Sequence, residues 1–346
     1  MRGPTGVPAA GAGAAVATAG PGPVVGPAPA LDAELAAGLA VLQGGRHVTV
    51  TPELIPALRQ SHLALRAADE EALRRGGAYA VEDRTVPGPA GEPDVTVLVC
   101  SPAVLRAPAP AVYYVHDGGM IAGDRRSGMT GVLDLAEPHG MVVVSVEHRL
   151  APEHPDPAPV EDCYAGLVWT ADHADELGID PDRILLMGVS AGGGLAAGVA
   201  LLARDRGGPQ PWAQLLGCPM LDDRNDTVSS LQMRGVGVWD HGSNHTGWQA
   251  LLGERRGGPD VSPYAAPARA TDLSGLPPAF IDVGSVETFR DEAVQYASRL
   301  WQAGGQAELH VWPGGFHAFD STMPQAALSQ AMTRARADWV RRLVTA

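Results

Sequence analysis

Apolar residues recur at steps of three and four from Leu31 through Leu35, Leu39 and Leu42, and again at Leu54 and Leu58. That period belongs to helices with one buried face. Thr51, Pro52 and Glu53 supply an N-cap, a proline at the first helical position and a first-turn acid for the second helix. Two amphipathic helices therefore precede any strand. Further along, the pattern shifts to short runs rich in Val, Ile and Leu: Val95–Cys100, Ala111–Val115, Met141–Val146, Ile184–Met187, Ala213–Gly217, Ala279–Val283 and Glu308–Val311. Helical patterns fall between several of them, at roughly Val160–Leu177, Ala191–Arg204, Phe289–Ala303 and Gln325–Val344. Continuous apolar strands alternating with helices predict an α/β fold with a mostly parallel sheet flanked by helices.

Composition adds bounds to this picture. The 346 residues are 45% hydrophobic, ample for a large core, and 43 Gly with 30 Pro supply many turns. Residues 1–30 are almost all Gly, Ala, Pro and Val and read as a disordered extension, because such a stretch buries too little side chain to offset its ordering entropy. The rest divides into N-terminal helices at 31–90, a core at 91–220 and 276–346, and an insertion at 221–275 that breaks the strand–helix rhythm. A net charge of −14 and the lack of any lysine argue against nucleic acid or an anionic membrane as partner. Cys100, Cys163 and Cys218 are odd in number, widely spaced and without metal-ligand spacing. They fit a reducing, cytoplasmic setting; secretion through the apolar stretch near Ala9–Ala19 is the rival reading. Neither a metal nor a cofactor is expected.

Three segments carry chemistry. Ile184–Gly192 is a strand running into Gly188-Val189-Ser190-Ala191-Gly192, followed by a small-residue helix. The glycines permit a tight turn that lifts the Ser190 hydroxyl clear of the sheet, and the helix N-terminus aims amides such as that of Ala191 at developing negative charge. The bland alternative is a glycine-rich turn. Upstream, Tyr113-Tyr-Val-His116-Asp117-Gly118-Gly119 ends a strand on two glycines able to expose backbone N–H groups. Downstream, His317 lies in a Gly-flanked loop after the last strand, and Glu287 follows the strand Ala279–Val283. The order serine, acid, histidine is that of the α/β-hydrolase fold. Asp282 and Asp291 are the alternative acids.

With these segments the sequence resembles the hormone-sensitive-lipase-like α/β-hydrolases, the bacterial family IV esterases. Glu147-His-Arg149-Leu-Ala-Pro152-Glu153-His-Pro155 looks like that family's Y-R-L-A-P-E-x-P segment, and Arg290-Asp291-Glu292 like the R-D-E after its catalytic acid. Val261-Ser-Pro-Tyr and Asp272–Pro278 resemble the stretch before the acid-bearing strand. The resemblance implies Ser190 as nucleophile, His317 as base, Glu287 as acid, and the N–H groups of Gly118, Gly119 and Ala191 as the oxyanion hole. It implies a serine carboxylesterase acting on short- to medium-chain acyl esters, and by family habit a homodimer.

Two positions depart from the family. Asp117 replaces the first glycine of H-G-G-G, and Val189 stands where Asp is common. Asp117 is expected either to brace its own turn or to touch substrate. Trp239 and Trp248 are expected to form part of a helical cap, built from the N-terminal helices and the insertion, and there either to face substrate or to pack the core of the cap. Asp156, Glu161 and Asp162 read as first-turn partners of a helix dipole. His116 is read as positioning its loop; His241 and His245, four apart, would suit a metal on a helix, but no third ligand is apparent nearby. The rival functions are a specialised biosynthetic enzyme (lyase, cyclase or acyltransferase) on the same scaffold, with Asp117 as its sequence support, and a ligand-binding protein with a dead site, which has no need of the complete serine, acid and histidine set.

Overall fold

The computed structural model describes Met1, Gly3 and residues 25–44 and 46–345. Most of the expected 1–30 extension lies outside the described residues. The N-terminal region folds as α1 (Ala33–Gln43), α2 (Ile55–Arg66) and the short α3 (Glu70–Arg74). Asp32 caps α1 by accepting the N–H groups of Glu34 and Leu35. Thr51 makes no such cap: its hydroxyl donates to Glu53, and Pro52–Leu54 forms a 3₁₀ turn ahead of α2.

The strands are β1 (Tyr79–Val86), β2 (Val95–Pro102), β3 (Ala109–Val115), β4 (Val142–Glu147), β5 (Ile179–Val189), β6 (Ala213–Gly217), β7 (Ala279–Val286) and β8 (Ala307–Phe316). They form one eight-stranded sheet in the order β1-β2-β4-β3-β5-β6-β7-β8. The pairs β1–β2 and β2–β4 are antiparallel and the rest parallel. Strand β1 corrects the expectation that 31–90 is helical throughout. Its edge position leaves Glu82, Asp83 and Arg84 toward solvent, so it lacks the apolar run that marks the inner strands.

The remaining helices are α4 (Met129–Ala136), α5 (Ala158–Asp172), α6 (Ala174–Leu177), α7 (Ala191–Arg206), α8 (Val228–Gln232), α9 (His241–Leu252), α10 (Arg290–Gln302), α11 (Phe319–Thr322) and α12 (Ala327–Thr345). One core cluster joins α5, α7 and α10 to one face of the sheet. A second puts α4 and α12 on the other. The sheet is thus closed on both sides, and the loops at its C-terminal edge carry the chemistry-bearing residues.

Two outlying regions are fastened to that edge. Leu35 and Leu39 of α1 pack with Phe316 and Phe319, around the loop that carries His317. The insertion joins the N-terminal region through Val50, whose N–H donates to Ser243 and whose carbonyl accepts from Thr246, both on α9.

Candidate active site

Ser190 sits where β5 meets α7, with φ 56° and ψ −121°. That left-handed conformation costs a serine on the order of 1–3 kcal/mol and persists only where its surroundings enforce it. Here they do. A Cβ on Gly188 would lie 2.1 Å from the carbonyl oxygen of Gly192, and one on Gly192 would lie 2.2 Å from that of Val115. The Ser190 N–H donates to Gly217 (2.8 Å), and its carbonyl accepts from Gly194 (3.1 Å) and Met220 (2.9 Å).

His317 follows β8 and Glu287 follows β7. Ser190 Oγ is 3.0 Å from His317 Nε2, and His317 Nδ1 is 3.0 Å from Glu287 Oε1. The second Glu287 oxygen accepts the Gly284 N–H at 2.9 Å. A carboxylate only accepts, so Nδ1 carries its proton toward Glu287 and Nε2 turns a lone pair to the Ser190 hydroxyl. All three residues are buried, and Phe289 sets its ring edge-on to the imidazole at 5.2 Å. The alternative acids are committed elsewhere. Asp282 forms a two-point ion pair with buried Arg336 (2.7 and 2.9 Å), and Asp291 accepts the Ser229 N–H.

The loop after β3 has Gly118 at φ 127° and Gly119 at φ 65°. A Cβ at Gly118 would strike the Ala122 carbonyl, and one at Gly119 would lie 2.3 Å from the Trp239 ring. Trp239 thus backs the loop, and its carbonyl accepts from Thr288, next to Glu287. Trp248 takes the core-packing alternative: it is fully buried among the hydrophobic residues of the larger core cluster.

Asp117 is nearly buried and lies 3.3 Å from His62 Nε2 on α2. Three residues before His62, Arg59 donates to the carbonyls of Ile121 (2.7 Å) and Ala151 (3.0 Å) and pairs with Glu153. Helix α2 therefore grips the glycine loop at two points. His62 and Arg59 went unremarked in the sequence; their three-residue spacing on one helix face was the available signal.

His116 stacks on His148 with ring centroids 4.1 Å apart. His116 Nδ1 donates to the Asp117 carbonyl (2.8 Å), and His148 Nδ1 to that of Arg149 (3.1 Å). Burial pushes both imidazoles down, His116 to about 4 and His148 to about 3, so the neutral pair braces the loop.

Of the acids read as dipole partners, Glu161 does stand in the first turn of α5, and all three also make ion pairs. Buried Asp162 receives the Arg149 backbone N–H and guanidinium, Asp156 pairs with Arg255, and Glu161 with Arg206. Each pair joins segments distant in sequence, which helical position alone could not show. His241 lies 3.0 Å from Ser230 Oγ, and His245 is exposed on α9.

Two cavities flank this region. One of about 350 Å³ runs beside the elbow, between Leu65, Val189, Asp320 and Arg336. A wider cleft of about 840 Å³, lined by Pro87, Arg149, Tyr164, Trp169 and Arg206, contains none of Ser190, Glu287 or His317.

The comparisons agree with this fold. Residues 112–321 match the family described as having the alpha/beta hydrolase fold. The chain is 36% identical over 284 residues to carboxylesterase NlhH of Mycobacterium tuberculosis, covering 79% of each protein. Among solved structures it is similar to a bacterial heroin esterase (TM-score 0.84, 39% identity, 91% of this chain and 98% of that one). It is also similar to esterase LipW from Mycobacterium marinum (TM-score 0.80, 36% identity, 90% and 96%). The chain belongs to the hormone-sensitive-lipase-like α/β-hydrolases.

Proposed function

We propose that Ser190, His317 and Glu287 form the catalytic triad of a serine carboxylesterase that acts on short- to medium-chain acyl esters. The chain is a carboxylic ester hydrolase, and the observation that carries the assignment of its residues is the continuous hydrogen-bonded line from Ser190 Oγ through His317 to Glu287. In this reading His317 Nε2 takes the Ser190 proton as Oγ attacks the ester carbonyl. Glu287 keeps the imidazole in the tautomer that can accept. The N–H groups of Gly118, Gly119 and Ala191 hold the oxyanion, each such donor being worth on the order of 3 kcal/mol of barrier. His317 then returns the proton to the leaving alcohol, and water releases the acyl group by the same steps.

The N-terminal helices and the 221–275 insertion act as the cap. Asp117 serves to fasten the glycine loop to α2 through His62, rather than to contact substrate. With that role it lends no support to a lyase, cyclase or acyltransferase. The test is hydrolysis of p-nitrophenyl acetate, butyrate, octanoate and palmitate by the wild type and Ser190→Ala. Turnover that favours the short chains and vanishes in the variant is expected. Folded wild type without turnover on any chain overturns the reading.

A further inference from the structure

Cys218 lies within reach of the triad and the mechanism does not use it. It follows β6 in a turn with φ 34°, and its N–H donates to the Asp282 carbonyl at 2.7 Å. The preceding residue, Gly217, accepts the Ser190 N–H. The turn is therefore bonded to the elbow on one side and to β7 on the other, which fixes the thiol against the acid and the base. One ligand atom each from Cys218, Glu287 and His317 lie within 4.8 Å of one another, all from buried residues. The charged groups around the thiol are Glu287, Asp320 and Asp282 against a single Arg336, so carboxylates outnumber cations.

We propose that this cluster is an inhibitory site for a thiophilic divalent cation of the zinc or cadmium type, an inference that rests on the triad reading above. The donor set suits such an ion. A thiolate, an imidazole nitrogen and a carboxylate are the three ligand types that zinc prefers, and three protein ligands leave a fourth position for water. Tetrahedral binding at about 2.0–2.3 Å needs donors about 3.3–3.5 Å apart. The three ligand atoms lie within 4.8 Å of one another, so the longest separation must close by on the order of 1 Å.

The cation enters where the Nδ1 proton now lies, between His317 and Glu287. Binding moves the imidazole proton from Nδ1 to Nε2 and releases the Cys218 thiol proton to solvent, with no change of oxidation state. With the cation on Nδ1 and the ring proton on Nε2, the imidazole can no longer accept the Ser190 proton. Hydrolysis stops while the fold is kept.

The experiment titrates Zn²⁺ and Cd²⁺ against wild type, Cys218→Ala and Cys218→Ser during p-nitrophenyl acetate hydrolysis, with reversal by a chelator. It also records the ultraviolet cadmium–thiolate band on Ser190→Ala with and without Cys218→Ala. The variants at 218 should keep basal turnover and need at least about tenfold more cation for half-inhibition. The band should appear on Ser190→Ala and vanish when Cys218 is also replaced. Equal sensitivity of wild type and Cys218→Ala, or a band indifferent to residue 218, overturns the proposal. The band is read without turnover, so it reports on the site even where the esterase reading fails. Should one variant at 218 misfold, the other carries the comparison.

Discussion

The stacked pair His116–His148 makes the protein acid-labile in a calculable way. Burial is the first cause of both depressions, and a neighbouring imidazole adds to each, His62 for His116 and His116 for His148. In the unfolded chain both imidazoles take up protons below about 6.5. In the folded protein they resist until about 4 and about 3. The unfolded state therefore binds more protons throughout that window, and stability falls as pH falls from 6.5 toward those values. Each histidine costs about 1.4 kcal/mol per pH unit. At pH 5 the loss is about 2 kcal/mol for each and about 4 kcal/mol for the pair, a large share of an ordinary folding free energy. The perturbation is His148→Phe, which retains a planar ring on His116 and deletes one titrating group. Urea unfolding at pH 7.5 and pH 5.0 should show the wild type losing about 2 kcal/mol more than the variant. Carboxylates that titrate in the same range act on both proteins and cancel in the difference. Equal losses would refute the reasoning, because His148 would then accept its proton without unfolding. The consequence reaches the site, since His116 and the Asp117 carbonyl it bonds form the base of the glycine loop.

Three further outcomes follow from the same geometry. Glu287→Gln should lower kcat on the order of 10⁴-fold with little change in KM, since a side-chain amide can hold the imidazole in the wrong tautomer; steady-state kinetics on a short ester checks this. Asp117→Gly should lower kcat and ease unfolding by urea while the order of preference among acyl chains stays as in wild type, because Asp117 acts on His62 of α2; a reordered chain-length profile would restore a substrate contact. Arg336→Met should destabilise the fold by about 3–5 kcal/mol, because it strands the fully buried Asp282 carboxylate; thermal and urea unfolding measure it.

The local parts of the site were legible in the sequence because their signals are local. A strand–Gly-x-Ser-x-Gly–helix segment dictates its own turn, and His317 stands out in a glycine-flanked loop after the last apolar strand. The six inner strands were visible as apolar runs because both of their faces are covered. Strand β1 was not, since an edge strand with charged residues in its middle lacks that pattern. Helix α4, at eight residues, is too short to show a period.

The sequence by itself determined the order of elements, the sharp turn at Ser190, and the fold class. These follow from apolar periodicity and backbone sterics, which act between near neighbours. Tertiary structure alone decided that Glu287 and neither Asp282 nor Asp291 meets His317, because both aspartates have partners remote in sequence. It also decided that Trp248 is core, that Asp117 answers to His62, that Asp162 belongs to Arg149, and that Cys218 lies against the acid and the base. Ion pairs and close contacts depend on distances in space, and only the packed sheet brings residues from separate elements, such as Asp282 and Arg336, within hydrogen-bond reach.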